Sequence, residues 1–98
     1  MSVRVVLRPE ARAEIDDAFD WYERQWPGLG VDFVAHVQEV FDEIGVRPAM
    51  YAEVFPGVHR ATVRRFPYSV FYRVEPQRVV VLAVFHSKRD PKIWRERA

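Results

Sequence analysis

Val58-His59-Arg60-Ala61-Thr62-Val63-Arg64-Arg65-Phe66-Pro67-Tyr68-Ser69-Val70-Phe71-Tyr72-Arg73-Val74-Glu75-Pro76-Gln77-Arg78-Val79-Val80-Val81-Leu82-Ala83-Val84-Phe85-His86 is where the chain commits to a sheet. Three runs rich in β-branched and aromatic residues are separated by Phe66-Pro67 and Pro76-Gln77. Proline carries no N–H and ends ladder pairing, so both dipeptides read as turns. The spacing predicts strands over Val58 to Arg65, Tyr68 to Glu75 and Arg78 to His86. In the first, Ala61 and Val63 share one face, and Arg60, Thr62 and Arg64 the other. The third is apolar at every position from Val79 to Phe85, the mark of a central strand buried on both faces.

Toward the N-terminus the period changes. Val3 to Leu7 reads as a short strand, and Pro9 suits the first position of a helix, where a missing N–H costs nothing. Ala11, Ile15, Ala18, Phe19, Tyr22 and Trp26 then recur at helical spacing, with Arg12, Glu14, Asp16, Asp17, Asp20, Glu23 and Arg24 opposite. Pro27-Gly28-Leu29-Gly30 breaks this helix. A second helix follows, with Phe33, Val34, Val37, Val40, Phe41 and Ile44 as its stripe and Pro48 at its end. So short a connection makes the pair an antiparallel hairpin. Ala49 to Gly57 reads as a loop with exposed Tyr51 and Phe55, and Asp90-Pro91 as the start of a short tail helix.

The expected fold class is α+β in a single domain over residues 1–98. An N-terminal strand and helical hairpin pack on a mainly antiparallel sheet of three to four strands, and a short C-terminal helix follows. Two helices cover one sheet face only. The doubly apolar last strand therefore needs cover on its other face, from the tail, a second copy or a partner segment.

Composition sets the outer bounds. The 98 residues are 49% hydrophobic and 30% charged, which fits one folded core and excludes a disordered chain. There is no cysteine, so disulfides, thiolate metal sites and cysteine nucleophiles are excluded. No metal-ligand spacing or Gly-rich phosphate loop occurs, and neither a metal nor a cofactor is expected. The longest apolar run, Val79 to Phe85, is far below the roughly 20 residues of a membrane span. The first ten residues lack a signal-like apolar segment, so no membrane partner and a cytoplasmic location are expected.

The net charge of +1 conceals a division. Residues 1–57 carry 5 Arg against 11 acidic groups, a net of −6, while residues 58–98 carry 10 basic against 3 acidic groups, a net of +7. A basic surface of that strength steers toward an anionic partner. The competing reading is that the two halves attract each other within the fold. His86, ending the last strand, has the type of side chain that moves protons near neutral pH. Tyr68 and Tyr72 share a strand face with Val70 and Val74, which favours packing. No carboxylate lies between Glu53 and Glu75 to orient a histidine. Trp21 falls off the helical stripe, at the edge of the core or on a partner surface.

Asp20-Trp21-Tyr22-Glu23, Pro27-Gly28-Leu29-Gly30, the Arg65 to Val74 segment and His86-Ser87-Lys88-Arg89-Asp90-Pro91 occur in one order along the chain. In this the sequence resembles the ParE/RelE superfamily of toxins of type II toxin–antitoxin systems, ParE-like branch, over nearly its whole length. The departure is Arg8 at the helix-cap position, where Ser or Thr caps better. The resemblance implies a toxin that inhibits growth by binding DNA gyrase, with no chemistry of its own. Its alternative is a ribosome-dependent mRNA endonuclease, for which His86, Arg65 and Tyr72 are the candidate catalytic residues. A third reading is a non-toxic adaptor. It also implies a cognate antitoxin with an acidic, flexible C-terminal segment. Arg60, Arg64, Arg65, Lys88 and Arg89, with the tail from Pro91 to Arg97, are the expected target contacts. Trp21, Trp26, Arg60 and Arg64 are the expected antitoxin contacts.

Overall fold

In the computed structural model, which describes residues 2–98, β1 (Arg4–Leu7) leads into α1 (Pro9–Gln25) and α2 (Leu29–Val46). β2 (Glu53–Phe55), β3 (Val58–Thr62), β4 (Tyr68–Glu75), β5 (Arg78–His86) and α3 (Lys92–Arg95) complete the chain. The strands form one sheet in the order β1-β5-β4-β3-β2. β1 runs parallel to β5, and all other neighbours are antiparallel. The doubly apolar β5 is indeed interior.

The sheet has five strands, one more than the expected upper figure. The additional strand is β2, inside the segment read as a loop; alternation over three residues is too short to stand out. Tyr51 and Phe55 are half-buried, not exposed. Tyr51 donates its hydroxyl to Glu43 on α2, and that bond pushes the phenol up to about 12. Phe55 packs edge-on to Trp94 at 5.8 Å.

The hairpin is fixed by two devices at its tip. The Glu23 carboxylate on α1 accepts the backbone N–H groups of Gly28 (3.2 Å), Gly30 (2.7 Å) and Val31 (3.3 Å), the otherwise free donors at the start of α2. These bonds, that of Gly28 foremost, hold its pKa below the ordinary carboxylate value. Gly30 is where the helices touch: a Cβ there would stand 2.6 Å from the Phe19 carbonyl oxygen and 2.8 Å from Glu23 Cγ. Because one of those atoms is backbone, Gly30→Ala must part the helices. We expect a loss of about 1–3 kcal/mol in urea unfolding.

The core has two parts, one on each side of the sheet. On the helix side Phe33 lies among Tyr22 (5.3 Å), Phe66 (5.2 Å) and Tyr68 (4.9 Å), with Val37, Ile44, Val70, Tyr72, Val79 and Val81 around them. On the opposite side Trp94 of α3 stacks on Phe71 at 4.1 Å and 16°, above Val58, Val80, Leu82 and Phe85. The chain's own tail therefore supplies the missing cover. Leu82 has no partner in the β4 register, which passes from Phe71↔Ala83 to Tyr72↔Val81. This bulge places both Leu82 and Ala83 on the tail side.

Trp26 was expected on the α1 stripe and is instead 72% exposed. The helix ends at Gln25, and Trp26 is extended (φ −159°, ψ 126°), so the helical period no longer governs its direction. Arg8 makes no side-chain cap, as its residue type implies. The tail helix starts one residue later than expected, with Pro91 at its N-cap, and Asp90 Oδ1 accepts the Lys92 N–H at 3.0 Å from just before it.

Candidate functional site

A cleft of about 230 Å³ opens on the tail side of the sheet, between β3, β4, β5 and α3. Arg60, Arg89 and Arg95 rim it, with Ser69, Ser87 and His86 between them, and no carboxylate lines it. Its floor is Phe71, Phe85 and Trp94. Arg60 has no ion-pair partner among the described residues. The Arg95 guanidinium lies 5.6 Å from the Phe55 ring and 5.5 Å from the Trp94 ring. Arg89 sits 4.3 Å above Phe85 and also reaches Glu14 Oε2 at 3.0 Å. Guanidinium groups stacked on aromatic faces keep their N–H edges for anionic oxygens. The arrangement is a cationic rim on an apolar base, suited to holding an anion.

The expected target contacts separate in space. Arg60 stands on this cleft. Arg64 does not share its face, because β3 stops at Thr62 and Arg65 turns the chain with φ 67°. Arg64 instead points toward α2, 3.8 Å from Glu39. Arg60 and Arg64 are thus no paired clamp, contrary to the strand alternation read through Arg65. Lys88 and Arg89 follow β5 after Ser87 and are exposed, and Arg95, expected only as part of the tail, lines the cleft.

The three residues considered for RNA cleavage are not assembled. Tyr72 is fully buried on the helix side, and its hydroxyl donates to the Pro48 carbonyl at 2.8 Å. Burial raises its pKa. Arg65 is in the β3–β4 turn, whereas His86 ends β5. His86 pairs across the sheet with Tyr68, ring centroids 5.1 Å apart. Its Nδ1 accepts the Lys88 N–H at 3.0 Å, so Nε2 carries the proton of the neutral ring. Burial also raises the Tyr68 pKa, keeping that hydroxyl protonated at neutral pH. Carboxylates are nearer than the sequence suggested: α1 brings Glu14 and Asp17 to a second cleft, of about 220 Å³, which His86, Tyr68, Trp21 and Arg89 also line.

Glu14 is the residue that sequence reasoning missed. Its side chain is only 11% exposed. It accepts the Val84 N–H at 3.1 Å, one bond from Arg89 and two from Arg97, at 3.0 and 3.1 Å. In the sequence it was one of seven charged residues on a polar helix face, with nothing to mark it as the contact point of the tail. Trp21, in contrast, matches its ambiguous reading: half exposed, edge-on to Tyr22 at 5.1 Å.

A family model described as the ParE toxin of the type II toxin–antitoxin system parDE matches residues 5–91. The chain belongs to this family of toxins. Solved structures of ParE and RelE toxins share its fold. The chromosomal ParDE toxin–antitoxin system from P. aeruginosa superposes with TM-score 0.76 at 21% identity, covering 87% of this chain and 96% of that one. A free double mutant of E. coli toxin RelE gives TM-score 0.67 at 17% identity over 90% and 86%. The toxin–antitoxin complex RelBE2 from Mycobacterium tuberculosis gives 0.62 at 22% over 88% and 99%. A search of curated proteins finds no significant match. Among the described residues, no helix of this ParE-family toxin is long and apolar enough to cross a membrane.

Proposed function

We propose that this toxin arrests growth by binding DNA gyrase, with the carboxylate-free cleft around Arg60, Arg89 and Arg95 as its contact surface. The carrying observation is the pairing of that cationic cleft with a dispersed His86, Arg65 and Tyr72. General acid–base cleavage needs its groups within hydrogen-bond reach of one reacting phosphate. Gyrase binding needs only a charged, shaped surface. Membership of the ParE family points the same way. Inducing the gene in a bacterium tests the reading: DNA-damage signalling and gyrase-linked breaks are expected. Codon-specific cuts in mRNA would instead identify a ribosome-dependent endonuclease, and normal growth a non-toxic adaptor.

The partner in this reading is a cognate antitoxin with an acidic, flexible segment. Structures of two relatives are named as toxin–antitoxin systems or complexes. Trp21 and Trp26, 51% and 72% exposed, offer apolar anchors, and Arg60 and Arg64 offer charges for its carboxylates. The tail already covers the second sheet face, so the antitoxin is no longer required for that purpose. Light scattering on the isolated chain should give a monomer. Adding the product of the neighbouring gene should give a tight complex that weakens with salt. A stable dimer indifferent to that product would contradict the assignment.

A further inference from the structure

Strand β1 runs out before β5 does. Their register ends at Leu7↔Val81, and the last bond on that side is from the Arg8 N–H to the Val81 carbonyl, 3.0 Å. From Leu82 onward β5 has no strand neighbour opposite β4. The bulge takes Leu82 out of the β4 register, and its carbonyl accepts from Arg97 Nη1 at 3.1 Å. The Val84 N–H donates to Glu14 Oε1 at 3.1 Å. Glu14 and Arg97 are themselves joined by two bonds, with side chains 11% and 14% exposed. One carboxylate thus occupies the place of a strand's carbonyl, and one guanidinium the place of its N–H.

We infer that Glu14 and Arg97 together substitute for the missing continuation of β1, sealing the outer half of β5 against pairing with a second copy of this chain. An open strand edge is a template for another strand, and proteins block such edges with charged side chains or covering segments. The seal uses both. It draws a charged residue from α1 and a tail that reaches back across the sheet. The same two bonds hold α3 in place as a wall of the cationic cleft, so edge protection and cleft shape depend on one pair. This inference is independent of which target the toxin binds.

Amide exchange by NMR on the full chain tests it, alongside sedimentation over a range of concentrations. In Glu14→Ala, exchange at the Val84 amide should rise about tenfold or more, as for a lost protecting bond. The Ala83 and Phe85 amides, which alternate toward β4, should keep their protection. Glu14→Gln retains an acceptor oxygen but not the charge. It should keep the Val84 amide protected while the amides of Trp94 to Arg97 exchange faster. Arg97→Ala, remote from the helical core, should release the tail in the same way. Glu14→Ala should also form dimers that the parent chain does not. Unchanged Val84 exchange in Glu14→Ala, equal exchange at Ala83, Val84 and Phe85, or a Glu14→Ala chain monomeric at every concentration would overturn the inference.

Discussion

Reversing Arg60 and Arg95 to Glu together should abolish growth inhibition while leaving the fold intact. Both guanidinium groups stand on the rim of a cleft without a carboxylate, and neither has an ion-pair partner among the described residues. Their reversal therefore breaks no salt bridge within the chain. Stability should move by no more than about 0.5 kcal/mol, apart from the stacking of Arg95 on Phe55 and Trp94. Against an anionic target the effect is large. Losing one partner of a close interfacial charge pair costs about 2–5 kcal/mol, roughly thirtyfold or more in affinity. Arg64→Glu is the internal comparison. Arg64 is exposed and faces Glu39 on the helix side, so this variant should remain toxic. Thermal unfolding and a plate assay of induced cells read both quantities. Loss of toxicity in Arg64→Glu but not in the double variant would move the contact surface to the other side of the sheet.

Phe33→Ala should be the most damaging single truncation in the molecule. Phe33 is fully buried, and three aromatic rings lie within 5.3 Å of its centroid: Tyr22 from α1, Phe66 from the β3–β4 turn and Tyr68 from β4. Its removal empties the space where hairpin and sheet meet. Truncation of a buried Phe costs about 3–5 kcal/mol. A domain of this size has roughly 5–15 kcal/mol in total. The urea midpoint should fall by roughly a fifth or more. Phe33→Leu keeps most of the volume and should lose less than half as much. Equal losses in the two variants would mean that the aromatic cluster does not hold the helices to the sheet.

The fold was legible where one period dominates. Seven apolar residues in succession announced β5 as interior, and the proline dipeptides placed both hairpin turns. Glycines 28 and 30 marked the helix junction, although the reason for Gly30, contact with the Phe19 carbonyl, is tertiary. Strand β2 was hidden because three residues cannot display alternation. Arg64 was misplaced because the strand was read through to Arg65, whereas β3 ends at Thr62. In the site, the basic residues were visible as a class from the charge division. Which of them face one another depended on where β3 stops and how the tail folds back. Glu14 was beyond reach for the same reason: it lies 83 residues from Arg97, and no local pattern records that contact.

The most direct test of the central claim uses purified toxin, purified gyrase and supercoiled plasmid, with a translating extract run in parallel. Gyrase should accumulate covalently linked, cut plasmid in proportion to added toxin, and the Arg60→Glu, Arg95→Glu chain should give none. Messenger RNA in the extract should stay whole. Intact gyrase turnover beside mRNA cut within codons would contradict the account and place the chemistry on the ribosome.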